Sequence, residues 1–174
     1  MNRNLIEQFR YFLKDSVRLT IDFSRTAQHR GIPPPPIEKP FPPEKKRVDL
    51  IKKNKWQTVG RVDLRSAMDK RRSHRIFTKE PLTLDELSFL LWATQGVRRQ
   101  TDDGTAYRTV PSAGCRHALE TYLCVLNVAE LEQGIYRYLP LEYQLLFESA
   151  KDKLPEQIVN ASLGQPLTGK ASVT

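Results

Sequence analysis

Lys70-Arg-Arg-Ser-His-Arg-Ile-Phe77 packs three guanidiniums, a hydroxyl and an imidazole into the five residues from Arg71 to Arg75. Guanidinium forks meet phosphate oxygens through paired, charge-assisted hydrogen bonds, and a serine hydroxyl adds a neutral donor. Three cations crowded around Ser73 repel one another, so a multivalent anion accounts for the whole group. Arginine near a helix C-terminus also has a purely structural use, worth about 0.3–1 kcal/mol per cation against the helix dipole. One or two arginines would satisfy that use. A second segment follows about forty residues later, Val110-Pro-Ser-Ala-Gly-Cys-Arg-His-Ala-Leu-Glu120. Its small residues stand at an expected helix start, where amide N–H groups can face a flat ligand and the backbone can be approached closely. Pro-Ser-x-Gly alone is equally an ordinary helix start. Together the two segments point to a bound nucleotide.

The remaining composition narrows the choice only slightly. A formal charge of +8 and a pI near 9.6 suit nucleic acid, an anionic membrane surface or a phosphorylated small molecule. No reading helix and no basic sheet interleaved with aromatics supports nucleic-acid recognition, so neither nucleic acid nor membrane is expected as a partner. Cys115 and Cys124 form no CxxC pair and have no histidine at ligand spacing, which leaves two reduced thiols and no metal site. There is no charged-then-apolar leader and no apolar run of about 18 residues, so a soluble, cytoplasmic protein is expected. The 174 residues allow one core with appendages.

Elements that could position the two segments are legible. Leu5, Phe9, Phe12, Leu13, Val17 and Ile21 recur at helical spacing and predict an amphipathic helix over 4–23. Seven prolines between Gly31 and Pro43 exclude helix or sheet interior and read as an SH3-type ligand or as a stiff strap laid over this protein or a twin subunit. The basic run from Lys45 to Lys55 reads as a solvated linker. Asp63 caps a helix reaching Lys70 or Arg71; Thr83-Leu-Asp-Glu86 is a capping box for a buried helix ended by Gly96, with Trp92 in the core. Arg98–Thr109, including Asp102 and Asp103, reads as a loop that could lid a site. A helix opened by Ser112, a strand over 121–128, an antiparallel ribbon flanking Pro140-Leu-Glu142 and a helix begun by Pro155 complete the reading. Leu167–Thr174 looks like the approach to another strand. Two regions are therefore expected: 1–55 as helix, strap and basic linker, and 56–174 as the ligand-binding part.

Arg71-Arg-Ser-His-Arg75, the helix Leu84–Gly96 and Arg108-Thr-Val-Pro-Ser-Ala-Gly-Cys-Arg-His-Ala-Leu-Glu120 resemble the FMN-dependent nitroreductase family from about Arg61 to Gln165. Gly134-Ile-Tyr-Arg-Tyr138 is similar to the branch that also contains the azoline-forming dehydrogenases. The resemblance implies an α+β fold of antiparallel sheet and helices, here incomplete at the C-terminus, and a homodimer with FMN at the subunit interface. Arg71, Arg72, Ser73 and Arg75 would hold the FMN phosphate and ribityl chain. Pro111, Ser112, Ala113 and Gly114 would lie against the isoalloxazine, and Gln165 near its pyrimidine edge.

By that resemblance the protein is an oxidoreductase passing hydride from NAD(P)H, or from a substrate being oxidised, through flavin to a nitroaromatic, quinone or related acceptor. No side chain is required as a catalytic nucleophile or base, and neither His74 nor His117 is assigned such a role. The family's later strand, Gly/Ala-rich helix and late basic residue have no counterpart in this sequence. The alternative is a truncated, non-catalytic remnant or a subunit that needs a partner chain.

Overall fold

Tyr136, Tyr138, Leu139, Leu145 and Leu146 are all at most 1% exposed, which marks their two strands as the middle of a sheet covered on both faces. The computed structural model describes residues 3–101 and 104–174; Asp102 and Asp103, in the expected lid loop, lie outside the described residues. The described residues contain six strands: β1 (Arg47–Asp49), β2 (Val97–Gln100), β3 (Ala106–Arg108), β4 (Tyr122–Val125), β5 (Gly134–Leu139) and β6 (Gln144–Ser149). The helices are α1 (Arg3–Phe12), α2 (Leu64–Lys70), α3 (Leu84–Gln95) and α4 (Leu154–Ala161). The main sheet has the order β1-β6-β5-β4 with every pair antiparallel, and β2 and β3 form a separate hairpin. This is the expected α+β class.

Helix α3 is the element the sheet closes on. Its capping box is complete: Thr83 Oγ1 accepts from the Glu86 amide at 3.2 Å, and Glu86 Oε2 accepts from the Thr83 amide at 2.9 Å. Leu84, Leu87 and Leu91 then meet Leu50, Leu123, Val125, Tyr136 and Leu145 in one core. Each buried leucine contributes about 1.5–3 kcal/mol. Buried Ser88 donates to Leu84 O at 2.6 Å and accepts from the Ile51 amide at 2.9 Å, so the segment after β1 is tied to the helix. Gly96 follows the last turn in extended geometry, and a Cβ there would meet Trp92 O at 2.5 Å, so a larger residue would force a shift.

Two compact units divide between Pro35 and Pro36, so the strap and basic run from 36 to 55 pack with the sheet. In the first unit the expected helix over 4–23 stops at Phe12 and gives way to 3-10 turns at Asp15–Thr20 and Phe23–Arg25. Polar side chains there bond the local backbone instead: Thr20 Oγ1 donates to Val17 O and Asp22 accepts from the Ser24 amide. Phe12, Leu13 and Leu19 are left at least 75% exposed, so the unit buries too little of the apolar stripe to sustain a longer helix.

Of the two readings of the proline run, the strap over the protein's own surface is the one realised from Ile37 to Phe41. Proline lacks the amide donor but keeps its carbonyl. Arg137, buried in the middle of β5, donates to Lys39 O at 3.0 Å and Pro40 O at 3.4 Å, and the Lys39 amide donates to Glu120 Oε1 at 2.7 Å. Arg137 in turn lies 3.3 Å from Glu148, which also pairs with Lys45.

Two further differences concern the sequence reading of 98–109 and 167–174. The loop is largely the β2–β3 hairpin, with few apolar residues to announce it beyond Val97 and Ala106. For 167–174 the difference is one of extent: in place of a new strand, only the last residues pair, the Cys124 and Thr174 amides exchanging bonds with each other's carbonyls at 2.7 and 3.1 Å and Val173 bridging Val125.

Glu38 of the strap accepts from the Leu141 amide at 3.3 Å. Burial first, then a hydrogen bond with Glu142 and the charges of Glu142 and Glu120, push its carboxyl up to about 7. Its unfolded-chain value is 4.5, so the native state binds the proton more tightly and stability falls as pH rises from about 4.5 through about 7. Glu38→Gln is expected to flatten that slope and raise stability at pH 8 by on the order of 1 kcal/mol after allowance for solvent screening. Urea midpoints at pH 5 and pH 8 check this. Ser88→Ala, which strands the Ile51 amide, is expected to cost about 1–3 kcal/mol in the same assay at either pH.

Candidate functional site

The arginine segment begins where α2 stops. Asp63 caps that helix by accepting from the Ser66 amide at 3.0 Å, and hydrogen bonds from Ser66 hold its carboxyl below the usual range. Arg71 leaves the helix in extended geometry (φ −62°, ψ 125°), and residues 71–80 are exposed throughout. Among the described residues, Arg71, Arg72, Ser73 and Arg75 take part in no hydrogen bond or ion pair. Among the described residues, no guanidinium of this segment donates to the last carbonyls of α2.

The second segment is held from behind by α3. The Thr109 amide donates to Gly96 O and its hydroxyl to Trp92 O, both at 2.9 Å, while Arg108 donates to Gln95 Oε1 at 3.2 Å. Pro111, Ser112 and Gly114 follow on the surface. The expected helix from Ser112 is a single 3-10 turn, Ala113–Cys115, in which Gly114 (φ 66°) and Cys115 (φ 56°) are both left-handed. Two successive left-handed residues stop helix propagation. Beyond them Leu119 is 84% exposed, so Arg116–Glu120 has no packed apolar face to keep it helical. No atom lies within 4 Å of where a Gly114 Cβ would stand, which leaves the backbone open to a ligand on that side.

Gln165 is exposed in the turn after α4, where its carbonyl accepts from the Thr168 amide and hydroxyl. Among the described residues, no hydrogen bond or ion pair joins Arg71–Arg75, Pro111–Gly114 and Gln165. They are three separate surface segments. Large apolar side chains flanking the arginine segment in sequence are also uncovered: Leu64, Met68 and Ile76 are all more than 70% exposed.

Sequence reasoning left Arg108 and Thr109 without a role, although both stand in the quoted motif. Arg108 is buried, which lowers its pKa, while Glu120, Tyr138 and Glu38 oppose that shift. Its Nη2 also reaches the strap carbonyl of Ile37 at 3.5 Å. His117 is pushed down by burial and by the Arg108 charge, against a hydrogen bond to the Ala106 backbone.

The residues present fit a phosphorylated planar cofactor: three uncommitted guanidiniums and a hydroxyl for a dianion, and an open glycine turn for a ring. The profile of the Nitroreductase family matches residues 68–173, a span that contains all three segments. The chain belongs to that family. It is 39% identical over 88 residues to a Methanocaldococcus jannaschii protein named "Putative nitroreductase MJ1384", a match covering 51% of this chain and 42% of that one. A crystal structure of a "putative nitroreductase" from Anabaena variabilis is 27% identical with a TM-score of 0.53, covering 75% of this chain and 26% of its own. The chain thus spans less than half the length of these relatives.

Thr109→Val keeps the shape of the side chain but loses the bond to Trp92 O. It is expected to cost about 0.5–1.5 kcal/mol and to raise amide exchange from Val110 to Cys115 while leaving β5 and β6 unchanged. Hydrogen exchange read by mass spectrometry checks this.

Proposed function

We propose that this chain is the N-terminal part of an FMN-dependent oxidoreductase, working in the cytoplasm as a homodimer. The observation that carries the reading is the set of Arg71, Arg72 and Arg75, exposed and without an anionic partner among the described residues, inside a span that matches the family. Their combined charge suits the FMN phosphate, which bears about −1.5 to −2 charges at neutral pH. Ser73 adds a hydroxyl donor. Pro111, Ser112, Ala113 and Gly114 supply a small-residue surface for the ring, and Gln165 an amide for its polar edge.

Bound FMN supplies hydride chemistry, accepting from NAD(P)H or from an oxidisable substrate and reducing a nitroaromatic, quinone or related acceptor. The protein's own part is to fix the phosphate, set the ring against the 111–114 turn and hold that turn through Arg108 and Thr109. The exposure of Leu64, Met68 and Ile76 supports a second subunit covering these side chains, because large apolar side chains left in water favour association.

Arg72→Ala combined with Arg75→Ala is expected to weaken FMN binding by about a hundredfold or more, two lost charge-assisted contacts being worth roughly 3 kcal/mol or more together. Flavin absorbance retained after gel filtration measures it. Unchanged stoichiometry in the double variant would overturn the assignment.

A further inference from the structure

Cations of the 45–55 run are neutralised unevenly. Lys45 pairs with Glu148 and Lys46 with Glu132, and Arg47 bonds Gln144. Lys52 and Lys53 have no carboxylate within ion-pair distance among the described residues. Both stand at the rim of a cavity of about 430 Å³, closed by the end of α3 and by the β5–β6 turn. That volume lies within the range of small-molecule sites, roughly 300–1,000 Å³.

Apart from Asn54, the remaining walls are apolar. Trp92, Val97, Pro140, Leu141 and Tyr143 line them, and the Tyr143 hydroxyl is already committed to Ser88 O at 2.7 Å. Trp92 is fixed by its neighbours, with ring centroids 5.3 Å from Trp56 and 6.5 Å from Phe89. Trp56 donates its indole N–H to Ile51 O, whereas that of Trp92 has no acceptor among the described residues. Leu141 is pinned through its amide by Glu38. The cavity therefore combines a preformed aromatic wall and two unneutralised amines.

We propose that this cavity binds a small planar aromatic carboxylate, with its ring against Trp92 and its charge between Lys52 and Lys53. Apolar walls of this extent disfavour a highly hydrated inorganic anion, and the amines favour a negative head over a neutral one. The site shares no residue with Arg71–Arg75 or Pro111–Gly114, so it stands independently of the flavin reading.

Equilibrium dialysis of the full-length protein with 2-naphthoate and with neutral 2-naphthylmethanol tests this. The naphthoate is expected to saturate a single site and bind about fivefold or more tighter than the alcohol, the ratio that ~1 kcal/mol of charge pairing gives. Lys52→Ala with Lys53→Ala should remove that preference while leaving the alcohol's affinity and the far-ultraviolet dichroism unchanged. Arg72→Ala with Arg75→Ala should leave naphthoate binding intact. Absence of saturation, equal affinities for the two probes, a preference that survives the lysine substitutions, or loss of binding in the arginine variant would each overturn the proposal.

Discussion

The first two turns of α3 are the constraint on which the other parts depend. A helix that is apolar nearly all round must be buried, and burying it favours partners for the polar groups near its N-terminus. Thr83 and Glu86 satisfy each other, Asp85 accepts from the Gln57 and Thr58 amides, and Ser88 takes the Ile51 amide. Those bonds bring the chain that follows β1 onto the helix. At the other end Trp92 O, Gln95 and Gly96 O receive Arg108 and Thr109. One helix thus sets both the inner edge of the core and the take-off point of the 110–114 segment.

Legibility in the sequence followed the range of the forces involved. Capping at Asp63 and Thr83, the Gly96 stop, the β5–β6 ribbon and proline at the start of α4 depend on neighbours within a few residues, and each appears as expected. The helices over 4–23 and from Ser112 failed because periodicity states which face is apolar but not what covers it. Leu13 and Leu119 are uncovered, and the helices shorten accordingly. The β2–β3 hairpin was hidden by its composition, since Arg98, Arg99 and Gln100 alternate with nothing apolar. At the candidate site the residue types were legible, while the support given by Arg108 and Thr109 was not, because it depends on where the end of α3 falls in space.

Charge is handled differently on the two sides of the chain's basic composition. Arg137, Lys45 and Glu148 form a partly buried set that binds the strap to β5 and β6, and burying such a set requires every member to be matched. Arg71, Arg72 and Arg75 are left in water, where unmatched cations carry little penalty and remain available to a ligand. The net charge of the chain therefore says less than its distribution between matched and unmatched sites.

The strand order β1-β6-β5-β4 has a kinetic consequence. β4, β5 and β6 are neighbours in sequence and close through short turns, whereas Arg47 of β1 must meet Leu146, roughly a hundred residues away. Loop-closure entropy makes such a distant pairing late. On the ribosome, β1 emerges early yet has no strand to pair with until β6 is made. For that interval the prolines and lysines of 33–55 hold the waiting segment extended and charged, a composition that resists premature strand pairing.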